Sequence, residues 1–296
     1  MALIVFSHAN SFPAGTYKKL LDALRGSGHE VCAVERFGHD PHYPVSSNWP
    51  HLVQQLADFA APAVAHYPGP AYLVGHSLGG FLSLMCAAQH PLLGGRGVRG
   101  VVLLDSPLLG GWRAQLVALA KRTRLVTAIS PARLSRKRRT RWPDLGTARE
   151  HFRHKRPFRL WDPQVLEDYL HAGTHADTDR EGQPCRRLVF DRAVETRIYN
   201  TLPHNLERIL RSFPPACPVG FIGGTQSFET RQVGLAMTRR VSGGQAAGRM
   251  HFIDGTHLFP MEKPQETAEA VGAMLALMER DARKGERRKG EGRPVV

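Results

Sequence analysis

Gly75-His76-Ser77-Leu78-Gly79-Gly80 sits between an apolar run, Ala71-Tyr72-Leu73-Val74, and a stretch of helical character, Phe81 to His90. Strand, sharp turn and helix in that order put a serine at the apex of the turn. A turn this tight imposes unfavourable dihedrals on its central residue, and glycines two positions either side leave room for the crossing backbone. The hydroxyl is then held proud of a sheet, beside a helix N-terminus whose free N–H groups attract negative charge. Ser77 is therefore the candidate nucleophile. The competing reading of the same residues is a plain Gly-rich turn.

Outward from this turn, strand and helix signals alternate. Leu3–Phe6, Glu30–Val34, Tyr72–Val74, Gly100–Leu104, Val219–Ile222 and Met250–Ile253 read as strands, most of them short and almost wholly apolar. Strands of that kind are buried on both faces of a parallel sheet. Helices are expected over Tyr17–Leu24, Pro50–Ala65, Gly79–Gln89 and Pro264–Arg280. In the last of these, Ala268, Val271, Met274, Leu275 and Met278 recur at helical spacing. Between Leu108 and about Pro215 no clear strand alternation is seen, and the segment is too long for a loop. It reads as a helical cap inserted over the sheet, with Trp142, Phe152, Phe158, Trp161, Tyr169, Phe190 and Tyr199 forming mainly its own core. The expected organisation is a core of residues 1–108 and 216–280, a cap of residues 109–215, and a disordered basic tail over residues 281–296, where apolar side chains are almost absent.

Composition narrows the function. The chain has 296 residues, 42% of them hydrophobic, and no apolar run of membrane-spanning length. Its opening, Ala2-Leu3-Ile4-Val5-Phe6, lacks the basic lead and cleavage site of a signal peptide, so a cytoplasmic location is expected. Cys32, Cys86, Cys185 and Cys217 show no ligand spacing, and neither a disulfide framework nor a zinc site is indicated. No Gly-rich phosphate loop follows a strand, and no cofactor is called for. The net charge is +14, and the stretch from Trp112 to Leu160 carries fifteen Lys or Arg against Asp144 and Glu150. Such a surface attracts phosphate, anionic lipid or anionic substrate. It carries no base-reading group, and a solvated face is the simpler account.

A serine hydroxyl needs a base and donors for the developing oxyanion. His257, in Ile253-Asp254-Gly255-Thr256-His257, lies just past the last strand, at the same end of the sheet as Ser77, and is the candidate base. The oxyanion donors are expected to be the backbone N–H groups of Leu78, after the nucleophile, and Asn10, in the loop Ser7-His8-Ala9-Asn10 after the first strand. His8 reads as a residue that ties this loop, and His76 as a packing or orienting residue.

On these residues the chain resembles the α/β-hydrolase superfamily, in the capped branch of esterases, lactonases, haloperoxidase-like enzymes and C–C bond hydrolases. The resemblance covers Leu3 to about Arg280. It rests on His8-Ala9-Asn10, where Ala9 replaces the usual glycine, on Gly75-His76-Ser77-Leu78-Gly79, and on Gly255-Thr256-His257. It implies a mostly parallel sheet of about six strands flanked by helices, with an inserted helical cap. The acid departs from the common pattern, because the position that aligns with it, after Pro218-Val219-Gly220-Phe221-Ile222-Gly223-Gly224, is Ser227. Two acids remain as candidates, Asp105 at the end of the strand after the nucleophile helix, and Glu229.

Serine rather than aspartate at position 77 separates this chain from relatives that form an alkyl-ester intermediate, such as epoxide hydrolases. Acyl transfer is expected, on a small or medium acyl substrate. A carboxylic ester comes first, with thioester, lactone, C–C and perhydrolase chemistry open. The alternative is a hydrolase-like protein without catalysis that binds nucleic acid or an anionic membrane through Arg136, Lys137, Arg138 and Arg139. The expected partner is the acyl substrate, with no specific nucleic acid and no membrane span; a homodimer is left open.

Overall fold

The computed structural model describes residues 1–111, 115, 135–136 and 138–291. Six parallel strands form the central sheet. They are β1 (Leu3–Ser7), β2 (Glu30–Ala33), β3 (Ala71–His76), β4 (Gly100–Leu104), β8 (Val219–Gly224) and β9 (Met250–Ile253), in the spatial order β2-β1-β3-β4-β8-β9. Each lies where the sequence predicts it, within two residues at either end. β1 and β3 run in register from Leu3 opposite Ala71 to Ser7 opposite Gly75. The loop after β1 and the turn after β3 therefore emerge side by side.

Side chains along each strand alternate between two apolar layers. Ile4, Phe6, Tyr72, Val74, Val102 and Leu104 face the first layer, with Leu20, Leu21 and Leu24 of α1 (Lys18–Gly26) and Val271, Met274, Leu275 and Met278 of the last helix. Leu3, Val5, Leu73, Val101 and Leu103 face the second, against Leu52, Leu56 and Ala60 of α2 (Pro50–His66) and Leu82 and Met85 of α3 (Leu78–Gln89). Burial on both faces explains why these strands lack polar alternation.

The insertion differs from the expected all-helical cap. It contains a three-stranded antiparallel sheet of β5 (Arg141–Trp142), β6 (Thr174–Thr178) and β7 (Pro184–Leu188), in the order β5-β7-β6. β6 and β7 are largely exposed and carry Arg, His, Asp and Thr. The apolar period that marks a core strand is absent from them, and the Asp179–Gln183 turn closes the hairpin instead. The expected aromatic core is present. Trp142, Phe152, Phe158, Trp161 and Tyr169 are buried and in mutual ring contact, joined by Phe12 from the loop after β1. Phe190 packs elsewhere, on His8 and His39.

Arg138 is not a surface cation. Its side chain is 12% exposed and bonds Glu195 at 3.1 Å and the Tyr169 hydroxyl. Of the four basic residues singled out for docking, only Arg136 and Arg139 lie exposed among the described residues, and Lys137 lies outside them. Much of the basic stretch between Trp112 and Arg133 lies outside them as well. The last helix spans Pro264–Glu291, eleven residues past its expected end and into the segment read as a tail; residues 292–296 lie outside the described residues. No helix among the described residues is long and apolar enough to cross a membrane.

Candidate active site

Ser77 stands between β3 and α3 with φ 52° and ψ −114°, a conformation L-residues rarely adopt. Its N–H bonds the Leu104 carbonyl at 3.0 Å and its carbonyl accepts from Gly80 and Phe81, so the turn is tied to β4 on one side and to its own helix on the other. The flanking glycines are required by contact. A Cβ on Gly75 would lie 2.2 Å from the Gly79 backbone, and one on Gly79 would lie 2.0 Å from the Ser7 carbonyl oxygen. Leu78 is the first residue of α3, so its N–H has no acceptor within the helix.

β4 ends on a second strained residue. Asp105 has φ 40°, is fully buried, and is held by its N–H on the Ile222 carbonyl at 2.8 Å. Its Oδ1 accepts from Gly224 N–H at 2.8 Å and Thr230 Oγ1 at 3.2 Å, and its Oδ2 from Ser227 Oγ at 2.5 Å. The remaining contact is His257 Nδ1 to Asp105 Oδ2 at 2.6 Å. Glu229, the other candidate, is half exposed and its Oε2 lies 3.9 Å from the same nitrogen. Both acids thus reach His257, and the buried, fully bonded one is Asp105.

The electrostatics of this pair point one way. Burial disfavours the imidazolium of His257, but the hydrogen bond and charge of Asp105, with Glu229 and Glu262, outweigh it and hold the group above the ordinary histidine value. Burial raises the Asp105 carboxyl, and the bonds from His257, Ser227 and Gly224 overcome that penalty and leave it below the usual carboxylate range. The acid is thus an anion, and Nδ1 of His257 carries the proton between them. His257 Nε2 is the nitrogen left to accept a proton.

Ser77, His257, Glu229, Asn10 and Tyr199 line one cavity of about 920 Å³. Its other walls come from the loop after β1 (Ala9, Phe12), from the insertion (Arg156, Pro157, Arg159, Leu160) and from the segment after β8 (Gln226, Phe228, Arg231). Tyr199 is the one aromatic of the expected set that reaches the cavity. Asn10 is 5% exposed and its side chain bonds the Glu195 carbonyl at 3.1 Å, which fixes the loop bearing its N–H. His8 ties this loop as expected: its Nδ1 bonds the Ala9 carbonyl at 2.7 Å and its Nε2 accepts from Phe37 N–H at 3.0 Å. Asp105, Glu229 and His257 also place three donor atoms within 4.8 Å of one another, but a cation there would have to displace hydrogens that already bond both Asp105 oxygens.

Two contributors carry no catalytic mark in the sequence. Ser227 cannot hold a charge, yet it caps the helix Phe228–Val233 through Thr230 N–H and donates to Asp105. The signal that could have found it is its place at the start of a helix just past a strand end. Tyr17, at the end of the short helix Ala14–Tyr17 that follows the loop after β1, turns back to accept from Ala9 N–H at 3.1 Å; no local pattern marks its role, because its other partner, His76, lies 59 residues away.

The model of the alpha/beta hydrolase family matches residues 4–270. Monoglyceride lipase of Mus musculus is 32% identical over 112 residues, 36% of this chain and 35% of that protein, and the Homo sapiens enzyme is 32% identical over 94 residues. The match thus spans about a third of the length of these curated relatives. Among solved structures, E-2-(acetamidomethylene)succinate hydrolase superposes with a TM-score of 0.64 at 21% identity, covering 93% of this chain and 92% of that one. A thioesterase domain from the curacin biosynthetic pathway gives 0.62 at 18% identity, covering 91% and 90%. The six-stranded parallel sheet and the match across almost the whole core make this chain a member of the alpha/beta hydrolase family.

Proposed function

We propose that the protein is a serine hydrolase that cleaves a small or medium acyl substrate, a carboxylic ester first, through an acyl-enzyme on Ser77. The observation that carries this reading is the 2.6 Å bond from His257 Nδ1 to buried Asp105, with Ser77 and His257 lining the same cavity. With Nδ1–H directed at Asp105, His257 Nε2 accepts the Ser77 proton as Oγ attacks the carbonyl carbon. The oxyanion forms against the N–H groups of Leu78 and Asn10. It collapses to the acyl-enzyme as His257 returns the proton to the leaving alcohol. Water then enters by the same route and releases the acid. Asp105 holds the tautomer and offsets the imidazolium charge, without itself taking the proton. Glu229 is a secondary, solvent-screened charge in this scheme.

The monoglyceride lipase relatives make monoacylglycerols a reasonable first substrate class to assay, with thioesters and lactones beside them. The four free cysteines fit the cytoplasmic setting expected from the sequence. Intact-mass analysis after a fluorophosphonate probe tests the reading. One adduct on the wild type, absent from Ser77→Ala, is expected; labelling of Ser77→Ala at the same rate would overturn it.

A further inference from the structure

The turn before Ser77 contains a histidine that the proposed chemistry does not use. His76 is fully buried. Its Nε2 lies 2.9 Å from the carbonyl oxygen of His257, and its Nδ1 lies 2.7 Å from the hydroxyl of Tyr17. Tyr17 Oη in turn lies 3.1 Å from the Ala9 N–H.

The direction of every bond in this relay is fixed. A carbonyl only accepts, so Nε2 of His76 carries the hydrogen. Neutral imidazole then has a bare Nδ1, which accepts from the Tyr17 hydroxyl, and that oxygen accepts from Ala9 N–H. Protonating His76 would turn Nδ1 into a donor and leave the Tyr17 hydroxyl hydrogen without its acceptor. Burial, and the neighbouring charge of His257 when it is protonated, both oppose that state and push His76 down to about 3. The relay therefore runs one way, from the backbone of residue 9 to the backbone of residue 257.

Its two ends matter for different reasons. Ala9 immediately precedes Asn10. The Ala9 carbonyl is held by His8 at 2.7 Å and by Phe12 N–H at 3.2 Å. The Asn10 N–H belongs to the same planar peptide and points opposite to that carbonyl. With Tyr17 on the N–H of Ala9 and His8 on its carbonyl, both peptides of this residue are locked. At the other end, the His257 carbonyl is the backbone anchor of the residue whose ring bonds Asp105.

We infer that Tyr17 and His76 are positioning residues that hold the Asn10 N–H and the His257 imidazole in fixed relation across the proposed site. The inference rests on the serine-hydrolase reading above.

The test uses Tyr17→Phe, which keeps the buried ring and removes only the hydroxyl, together with His76→Gln and the double variant. Hydrolysis of a reactive aryl ester is measured beside wild type and Ser77→Ala, well below each variant's unfolding midpoint. The expected result is a kcat lower by about tenfold in Tyr17→Phe with KM within about twofold, since only transition-state contacts loosen. The double variant is expected to lose no more than the worse single variant, as members of one hydrogen-bonded relay do. Unchanged kcat in Tyr17→Phe, or losses that multiply, would overturn the relay while leaving Ser77-dependent turnover intact. Wild type and Ser77→Ala turning over alike would instead overturn the hydrolase reading. Imidazole 15N shifts supply a readout independent of turnover. His76 is expected as the neutral Nε2–H tautomer from pH 5 to 9, with its Nδ1 signal moved by Tyr17→Phe; an Nδ1–H tautomer would end the proposal.

Discussion

The acid–histidine contact is set by four hydrogen bonds to one carboxylate rather than by a charge in a convenient place. Asp105 is therefore expected to matter far more than Glu229. Asp105→Asn should lower kcat/KM by roughly 10³- to 10⁴-fold, because an amide cannot hold the required tautomer. Glu229→Gln should lower it by no more than about fivefold, the size of a charge effect 3.9 Å away in a solvated setting. Steady-state hydrolysis by the two variants separates them, and the reverse ranking would reassign the acid. The pH profile follows with a definite sign. The base must be neutral to act and His257 is held above the ordinary histidine value, so kcat/KM should rise with pH through an inflection above about 6.5. In Glu229→Gln that inflection should move downward, since one of the charges favouring the imidazolium is gone.

Elements set the positions of these groups through close backbone approach. α3 begins so near β1 that a methyl on Gly79 would overlap the Ser7 carbonyl at 2.0 Å. Gly79→Ala should therefore cost about 3 kcal/mol or more of stability, since backbone rather than a flexible side chain must move. Gly272, in the interior of the last helix with nothing within 4 Å of an added methyl, is the control. Gly272→Ala should stabilise by about 0.5–1 kcal/mol, and urea midpoints read both. The same close approach explains what is legible in advance. The inner strands β1, β3, β4 and β8 are apolar on both faces and their ends are marked by turns, so they announce themselves, and so do the serine at the end of β3 and the histidine just past β9. The hairpin β6–β7 lies on the outside of the insertion, where packing imposes no pattern, and only its turn residues hint at it. Ser227 and Tyr17 are illegible for another reason: their roles come from partners 122 and 59 residues away, at Asp105 and His76.

Over the whole molecule, charge and protonation give two further expectations. His8 and His76 are buried and neutral, with burial pushing them down to about 4 and about 3. The unfolded chain binds protons at these positions below about pH 6.5 while the folded one does not, so stability rises with pH across that window and falls as acid is added. For His8 alone the loss between pH 6.5 and 4 should be about 3 kcal/mol; a thermal midpoint flat over this range would contradict it. At the mouth of the cavity, Arg156 and Arg159 are exposed beside Leu160 and Phe228, an arrangement suited to an acyl chain ending in an anionic group. Removing both charges should raise KM for a carboxylated ester by about fivefold per arginine at low salt, less at high salt, and leave a neutral ester of equal length unaffected. One last consequence belongs to Ser227. Its hydroxyl reaches the oxygen of Asp105 that His257 reads, so the ends of β4 and β8 converge on one point. The histidine registers an anion at that point and is indifferent to which strand delivers it. An acidic residue at either address is therefore expected to serve. Ser227→Asp combined with Asp105→Ser moves the carboxylate from one strand end to the other, and it should recover activity that Asp105→Ser alone has lost.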